Sequence, residues 1–280
     1  MAIGSDSGDS RTEVSFHLPL QTFVRERAHY ILAHLRPLEH PEILSATFVA
    51  IDTQNLSTVV SSTWSDWDDG SEQIAMPTLL QLAVMCRWIS AEMVQTPLEN
   101  WVKFASSSLF DAEGNTRRCT GCTSTQRPYN AIWLVMFFND RYNWLGNSSD
   151  IDTAVILLNK VLEVGGVAKA PTIFFSQAVL DLCKSLDNLG RHNESVEFKN
   201  KIVNITMSFI NKGQDIPTSE VSYEQAIVEP LVEMAADTYN MTKNTTPLSE
   251  TKKRLDWLMA FSGPQPRARL YQIANCHWDE

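Results

Sequence analysis

Tyr129-Asn-Ala-Ile-Trp-Leu-Val-Met-Phe-Phe-Asn-Asp-Arg-Tyr142 is the stretch that decides the fold. Tyr129, Trp133, Phe137, Phe138 and Tyr142 recur at helical spacing, and Ala131, Ile132, Leu134, Val135 and Met136 between them are apolar as well. A helix that is apolar nearly all round belongs in an interior. Trp144-Leu-Gly146 closes it with a residue free to take a left-handed conformation. A fully buried helix must be surrounded by others, so the flanking sequence has to supply them.

Downstream it does. Ser149-Asp150 reads as the cap of a helix over Ile151–Val164, stopped by Gly165-Gly166. Pro171 opens a helix over Thr172–Leu189, ended by Gly190, and Asn193–Ile210, Tyr223–Tyr239 and Leu248–Phe261 follow. Upstream, Leu20, Phe23, Val24, Ala28, Ile31, Leu32 and Leu35 mark an amphipathic helix over Leu18–Leu35, stopped by Arg36-Pro37. Ile74–Met93 and Leu98–Leu109 are two more. Only Ile43–Val60, rich in β-branched residues around an Asp52-Thr-Gln-Asn55 turn, reads as a small hairpin. No β pattern alternates with the helices, which excludes a doubly wound or barrel α/β fold. No 34-residue period marks a tetratricopeptide array. Residues 1–15 are polar and read as a flexible leader, and 16–280 read as a single helical domain.

Between the first two long helices lies Trp64-Ser-Asp-Trp-Asp-Asp-Gly-Ser-Glu72, two tryptophans and four carboxylates running into an apolar helix. Asp69 or Ser71 can cap that helix, with Gly70 as the turn. As a functional element the same stretch is a pocket rim, with flat rings for a ligand's face and carboxylates for its polar edge.

Composition narrows the partners. Net charge is −10 and the isoelectric point about 5.1. Nucleic acid and anionic membrane surfaces both call for clustered Lys and Arg, so neither is expected as a partner. Residues 1–15 lack the apolar core of a signal peptide. Against this, Asn-X-Ser/Thr triplets stand at Asn55, Asn147, Asn193, Asn204, Asn240 and Asn244, which keeps a processed secretory protein open. Five cysteines are no disulfide framework. Cys119-Thr-Gly-Cys122 has no second pair and no His pair at finger spacing, so it reads as a loop disulfide or two free thiols. No P-loop, dinucleotide-binding glycine pattern, H-E-x-x-H or ordered Ser-His-Asp set is present. No metal and no cofactor is expected.

Four motifs in order carry a resemblance: Ser71-Glu-Gln-Ile-Ala-Met76; Arg127-Pro-Tyr-Asn-Ala-Ile-Trp133; Tyr223-Glu-Gln-Ala-Ile-Val-Glu-Pro230; and Gln265-Pro-Arg-Ala-Arg-Leu270 with His277-Trp-Asp279. By these the chain resembles the α/α-toroid proteins of the six-hairpin glycosidase kind, as a shortened and diverged member of the fungal and bacterial group associated with polysaccharide breakdown. The resemblance implies a mainly α fold, an (α/α) toroid or incomplete toroid of helical hairpins with at most a small β-hairpin near the N-terminus. It also implies a carbohydrate-sized cleft at one end. Gln73 stands where the family pattern has a basic residue.

Three classes of function follow. Glycoside hydrolysis needs two carboxyls across one linkage, for which Asp66, Asp68, Asp69 and Glu72 face Glu224 or Asp279 as candidates. A lyase needs a base such as Tyr129, Tyr223 or His277, and a cation such as Arg127, Arg267 or Arg269 to neutralise a uronate. Trp64, Trp67, Asn130, Trp133 and Phe137 are the substrate-binding candidates, lining the cavity for an oligosaccharide or small molecule. The second class is a cyclase or isomerase, Diels-Alderase-like, that holds an apolar secondary metabolite in a reactive pose within the same aromatic walls. The third is a binding protein without turnover. Each carboxylate taken singly is as readily a helix cap or a solvated charge.

Overall fold

The computed structural model describes residues 2–5, 8–11, 18–35, 47–49, 54, 70–117, 128–168, 171–213 and 225–261. The chain divides into two compact units. The larger is formed by Pro19–Val167 and Gln177–Lys199, the smaller by Met1–Leu18, Ala168–Ser176 and Asn200–Glu280.

The larger unit holds α1 (Leu20–His34), α2 (Gly70–Met85), α3 (Ala91–Ser108), α4 (Pro128–Leu145) and α5 (Ser148–Glu163). It also holds most of α6 (Phe175–Asn188) and the first turns of α7 (His192–Lys212). α2 packs on α1, α3 and α4, and α4 and α5 form a close hairpin. The all-round apolar character of α4 is met by burial: Ala131, Ile132, Leu134, Val135, Phe137 and Phe138 are all inside. Trp101 of α3 stands edge-on to Phe137 with ring centroids 4.5 Å apart, and Phe110 stands edge-on to Phe138 at 5.8 Å. Such pairs add about 0.5–1.5 kcal/mol each beyond the area they bury. The Gln81 side-chain amide of α2 donates to the Phe137 carbonyl of α4 at 3.0 Å, a buried polar tie between the two central helices.

Helix ends follow their local chemistry, with four departures from the sequence reading. Gly146, at φ +74°, ends α4 as expected, but the cap of α5 is Asn147, whose Oδ1 accepts from the Ser149 backbone N–H at 3.2 Å. The helix begins at Ser148, so Asp150 falls in its first turn, where it takes a hydrogen bond from Arg141 at 2.5 Å and lies almost fully buried. Burial raises the Asp150 carboxyl and Arg141 opposes the shift. The helix expected over Ile74–Met93 starts earlier and stops sooner. Gly70 is its first residue, Ser71 its second, and it breaks after Met85, where Arg87 takes φ +61° and the Trp88 N–H closes onto the Ala83 carbonyl. α3 then starts at Ala91, which leaves Pro97 inside a helix rather than before one. The helix expected from Thr172 begins at Phe175.

Charged residues tie the C-terminal part of this unit. Arg191 bonds Asp152 of α5 at 2.6 Å and both Glu194 oxygens at 2.7 and 2.8 Å. Asp187, at the end of α6, accepts from Lys199 at 3.0 Å and lies 3.1 Å from His192. His192 is the first residue of α7 and is exposed.

In the smaller unit α8 (Gln225–Thr242) and α9 (Thr245–Phe261) form a hairpin. Val228, Leu231, Met234 and Ala235 of α8 are buried. Asn244 caps α9, its Oδ1 accepting from the Thr246 N–H at 3.0 Å. Arg254 of α9 is 1% exposed, bonds Glu250 at 2.6 Å and donates to the Gly213 carbonyl at 3.0 Å. That carbonyl belongs to the residue ending α7, so one guanidinium satisfies an otherwise open helix terminus.

A two-stranded antiparallel ladder, β1 (Ala2–Ser5) with β2 (Gly8–Arg11), lies within the stretch read as a leader. Most of the hairpin expected at Ile43–Val60 lies outside the described residues, where only 47–49 and 54 fall inside. Phe48 and Val49 are buried, and the Val49 N–H donates to the Leu35 carbonyl at 2.8 Å. Among the described residues no helix is long and apolar enough to cross a membrane.

Candidate functional site

The expected cleft rests on residues at or just before helix starts. Trp64, Trp67, Asp68, Tyr223, Glu224 and His277 lie outside the described residues. So do Asp66, Asp69, Arg127, Arg267, Arg269, Asp279 and the Cys119–Cys122 pair. Of the remaining candidates, Glu72 is in the first turn of α2 and Tyr129 in the first turn of α4. In a chain of helical hairpins, helices two apart in sequence run the same way. α2 and α4 also touch at matching depth, Gln81 eleven residues beyond Gly70 and Phe137 nine beyond Pro128. Glu72 and Tyr129 thus stand on the opening turns of two helices that touch.

Three candidates with described side chains descend α4 at helical spacing. Asn130 is buried in its first turn, Trp133 is half-buried one turn below, and Phe137 is fully buried another turn down. Phe137 meets Trp101 at 4.5 Å and Phe138 at 5.5 Å, both edge-on. Its ring packs edge-on between these two neighbours in the core. The helix goes from polar and aromatic at its mouth to wholly apolar within two turns. A cleft over these starts would have Asn130 and Trp133 as its floor.

The sequence reading passed over a polar group near the other end of α4. Asn139 is almost fully buried, and its Oδ1 accepts from the Ser185 hydroxyl of α6 at 2.7 Å. Beside it the Asp140 carboxyl is pushed up to about 6 by burial and by the carboxylate of Asp181. A carboxyl in that range can hold or release a proton near neutrality. It sits ten residues from Asn130, however, which is roughly 15 Å along the helix axis, well removed from the opening turns. The sequence signal was present in Asn139-Asp-Arg141, three polar residues interrupting an apolar helix.

Among the described residues no three His, Cys, Asp or Glu side chains come together in a way that could hold a metal ion. Cys86 and Cys183 are free thiols, the first exposed and the second buried, with its Sγ donating to the Ser195 carbonyl at 3.4 Å. Asn147, Asn193, Asn204, Asn240 and Asn244, the triplet asparagines among the described residues, are all exposed.

No protein-family model matches the chain, and no curated protein matches it. Solved structures do. A polysaccharide lyase superposes with a TM-score of 0.76 over 87% of this chain at 22% identity. This chain spans about a third, 36%, of the length of that lyase. A cellobiose 2-epimerase from Bacillus thermoamylovorans aligns over 88% of this chain and 89% of its own at 13% identity, with a TM-score of 0.41. The likeness to the lyase shows the fold: the chain is mainly α, built of helical hairpins of the α/α-toroid kind.

Proposed function

We propose that this protein is a glycan-active enzyme of hydrolase or lyase type, acting on an oligosaccharide at the end where α2 and α4 begin. The observation that carries the reading is the superposition on a polysaccharide lyase over 87% of the chain. It is supported by the chemistry at that end. Glu72 and Tyr129 are a carboxylate and a phenol on the opening turns of two helices in contact, with Asn130 next to Tyr129 in sequence and Trp133 one turn on. Asn130 offers an amide for sugar hydroxyls, and Trp133 a flat face for a pyranose ring. In an eliminative reaction Tyr129 exchanges the proton beside a uronate carboxyl, whose charge Arg127 offsets. In a hydrolytic one Glu72 or Asp68 shares the acid and base roles with Glu224 or Asp279 across the linkage.

The products separate the two. Elimination leaves an unsaturated uronide with an ultraviolet absorbance, whereas hydrolysis yields reducing ends without one. Against acidic and neutral polysaccharides, Tyr129→Phe should lower kcat about 10²–10⁴-fold in a lyase, the usual weight of general acid–base catalysis. Glu72→Gln should do the same in a hydrolase. Full turnover by both folded variants would refute this placement of the site.

A second reading, a templated cyclisation or isomerisation of an apolar metabolite, draws on the apolar run of α4 below Asn130. It requires Trp133→Ala to damage activity more than either polar substitution. Binding of a glycan with no turnover of any substrate would leave only a binding protein.

A further inference from the structure

The turn before α6, Pro171-Thr-Ile-Phe174, breaks three local rules at once. Phe174 immediately precedes the first residue of α6, the position where a helix is normally capped, yet it has no side chain able to accept from the open N–H groups. Its φ is +60°, left-handed backbone that glycine or asparagine takes readily and a bulky aromatic does not. Its ring is 42% exposed, beside Ile173 at 40%. The other two left-handed non-glycine residues among those described, Arg87 and Lys243, both sit at helix C-termini, where that conformation is ordinary and the side chain is exposed and charged. Two residues on, Ser176 is fully buried with its hydroxyl unpaired, a further cost at the same helix start. Stability alone would place Asn, Asp or Gly at 174. Sequences break local rules of this kind where a site needs it.

We propose that Phe174, with Ile173 beside it, is a sugar-stacking platform on the smaller unit. The proposal rests on the glycan-active reading above and names a binding surface for it. The size of the feature selects the ligand. Pro171, Thr172, Phe175 and Ser176 are all buried, so the exposed apolar surface of this segment is two side chains wide, the footprint of one pyranose ring. A stable protein interface needs about 800 Å² on each partner, far more than two side chains offer. The platform is also held in place. The Phe175 N–H closes the turn onto the Thr172 carbonyl at 3.1 Å, Pro171 fixes its own φ, and buried residues anchor both sides. A ring held this way loses little freedom when a sugar stacks on it.

Phe174→Asn tests the platform, because backbone strain predicts its sign for stability. The substitution relieves the left-handed strain, so the urea midpoint should rise. Calorimetric titration with alginate-, hyaluronan- and cellulose-derived hexasaccharides should show the tightest wild-type ligand weakened about tenfold, with Phe174→Trp retaining it. A fall in the midpoint would make Phe174 a structural residue and overturn the proposal. Unchanged affinity in a folded Phe174→Asn variant would overturn it as well, leaving the glycan-active reading in place. Absence of wild-type binding to all three sugars, with no turnover of their parent polysaccharides, would remove that reading and the platform with it.

Discussion

Replacing Gly114 by alanine should cost more than the same replacement at Gly146, and the difference can be worked from the structure. Both glycines hold left-handed backbone, at φ +82° and +74°. An alanine pays about 1–2 kcal/mol for that conformation wherever it sits. At Gly146, the residue ending α4, an added Cβ meets nothing within 4 Å, so the backbone term is the whole effect. Gly114 sits in the turn of a tight loop. Its N–H donates to the Asp111 carbonyl at 3.0 Å, the Asp111 carboxylate takes the Asn115 N–H at 2.9 Å, and Phe110 bridges to Thr116. That loop is pressed onto α5. A Cβ on Gly114 would lie 2.8 Å from the Ile156 carbonyl oxygen and 3.1 Å from its carbonyl carbon. Both are helix backbone and cannot swing aside as a side chain can. Overpacking of this kind adds about 1–3 kcal/mol. Gly114→Ala should therefore lose about 2–5 kcal/mol, and Gly146→Ala about 1–2 kcal/mol. Urea unfolding followed by far-ultraviolet circular dichroism, with the two variants compared at equal m-value, measures the gap. Equal losses would refute the docking of this loop against the α5 backbone.

Asp140→Asn should change how stability depends on pH. The native carboxyl is raised to about 6 by burial and by Asp181, so between about pH 4 and 6 the folded protein holds a proton that the unfolded chain has released. Stability therefore falls as pH rises through that window. The asparagine variant should lose this slope and gain on the order of 1 kcal/mol at pH 7, discounted for partial exposure, with little change at pH 4. An unchanged slope in urea midpoints across that range would count against the raised Asp140 carboxyl. Arg254→Met should destabilise by about 3–5 kcal/mol, because the Glu250 carboxylate and the Gly213 carbonyl then lose their shared partner. Adding Glu250→Leu should recover part of that loss, and a double variant no better than the single one would contradict the account.

The helical architecture was legible because its signals are local. An apolar run with helical spacing needs no knowledge of its neighbours to read as a buried helix, and α4 is one over Pro128–Leu145. Gly146, Gly165 and Gly190 punctuate helices through a backbone conformation that glycine takes at no steric cost, and all three have positive φ. The misplaced boundaries share a cause. The chain turns out of α2 at Arg87, a residue with no preference for the left-handed conformation it takes, and α3 retains Pro97 seven residues in because Val94, Leu98 and Trp101 are buried on one face. Packing over the whole helix outweighs what one proline costs locally.

Functional side chains obey a different logic, because what matters about them is not local. Phe137 and Trp133 are four residues apart on one helix with the same aromatic character, yet one is spent on Trp101 and Phe138 while the other is half-buried a turn nearer the helix start. Nothing in the spacing separates them. What separates them is where α3 crosses α4, a matter of tertiary packing. Asp140 shows the converse. As one carboxylate in a sequence it is indistinguishable from a solvated charge, and only the approach of α6 with Asp181, together with burial, holds its proton to near neutrality. A segment such as Pro171–Phe174 carries a third kind of signal, a residue wrong for its own backbone. It becomes visible only when φ is known, because the sequence lists a phenylalanine and not the conformation forced on it. Residues that satisfy local rules therefore report the fold. Those that violate them, as Pro97 does inside α3 and Phe174 at the start of α6, report what outweighs the local cost: packing across α3 for the first, and for the second the stacking platform proposed above.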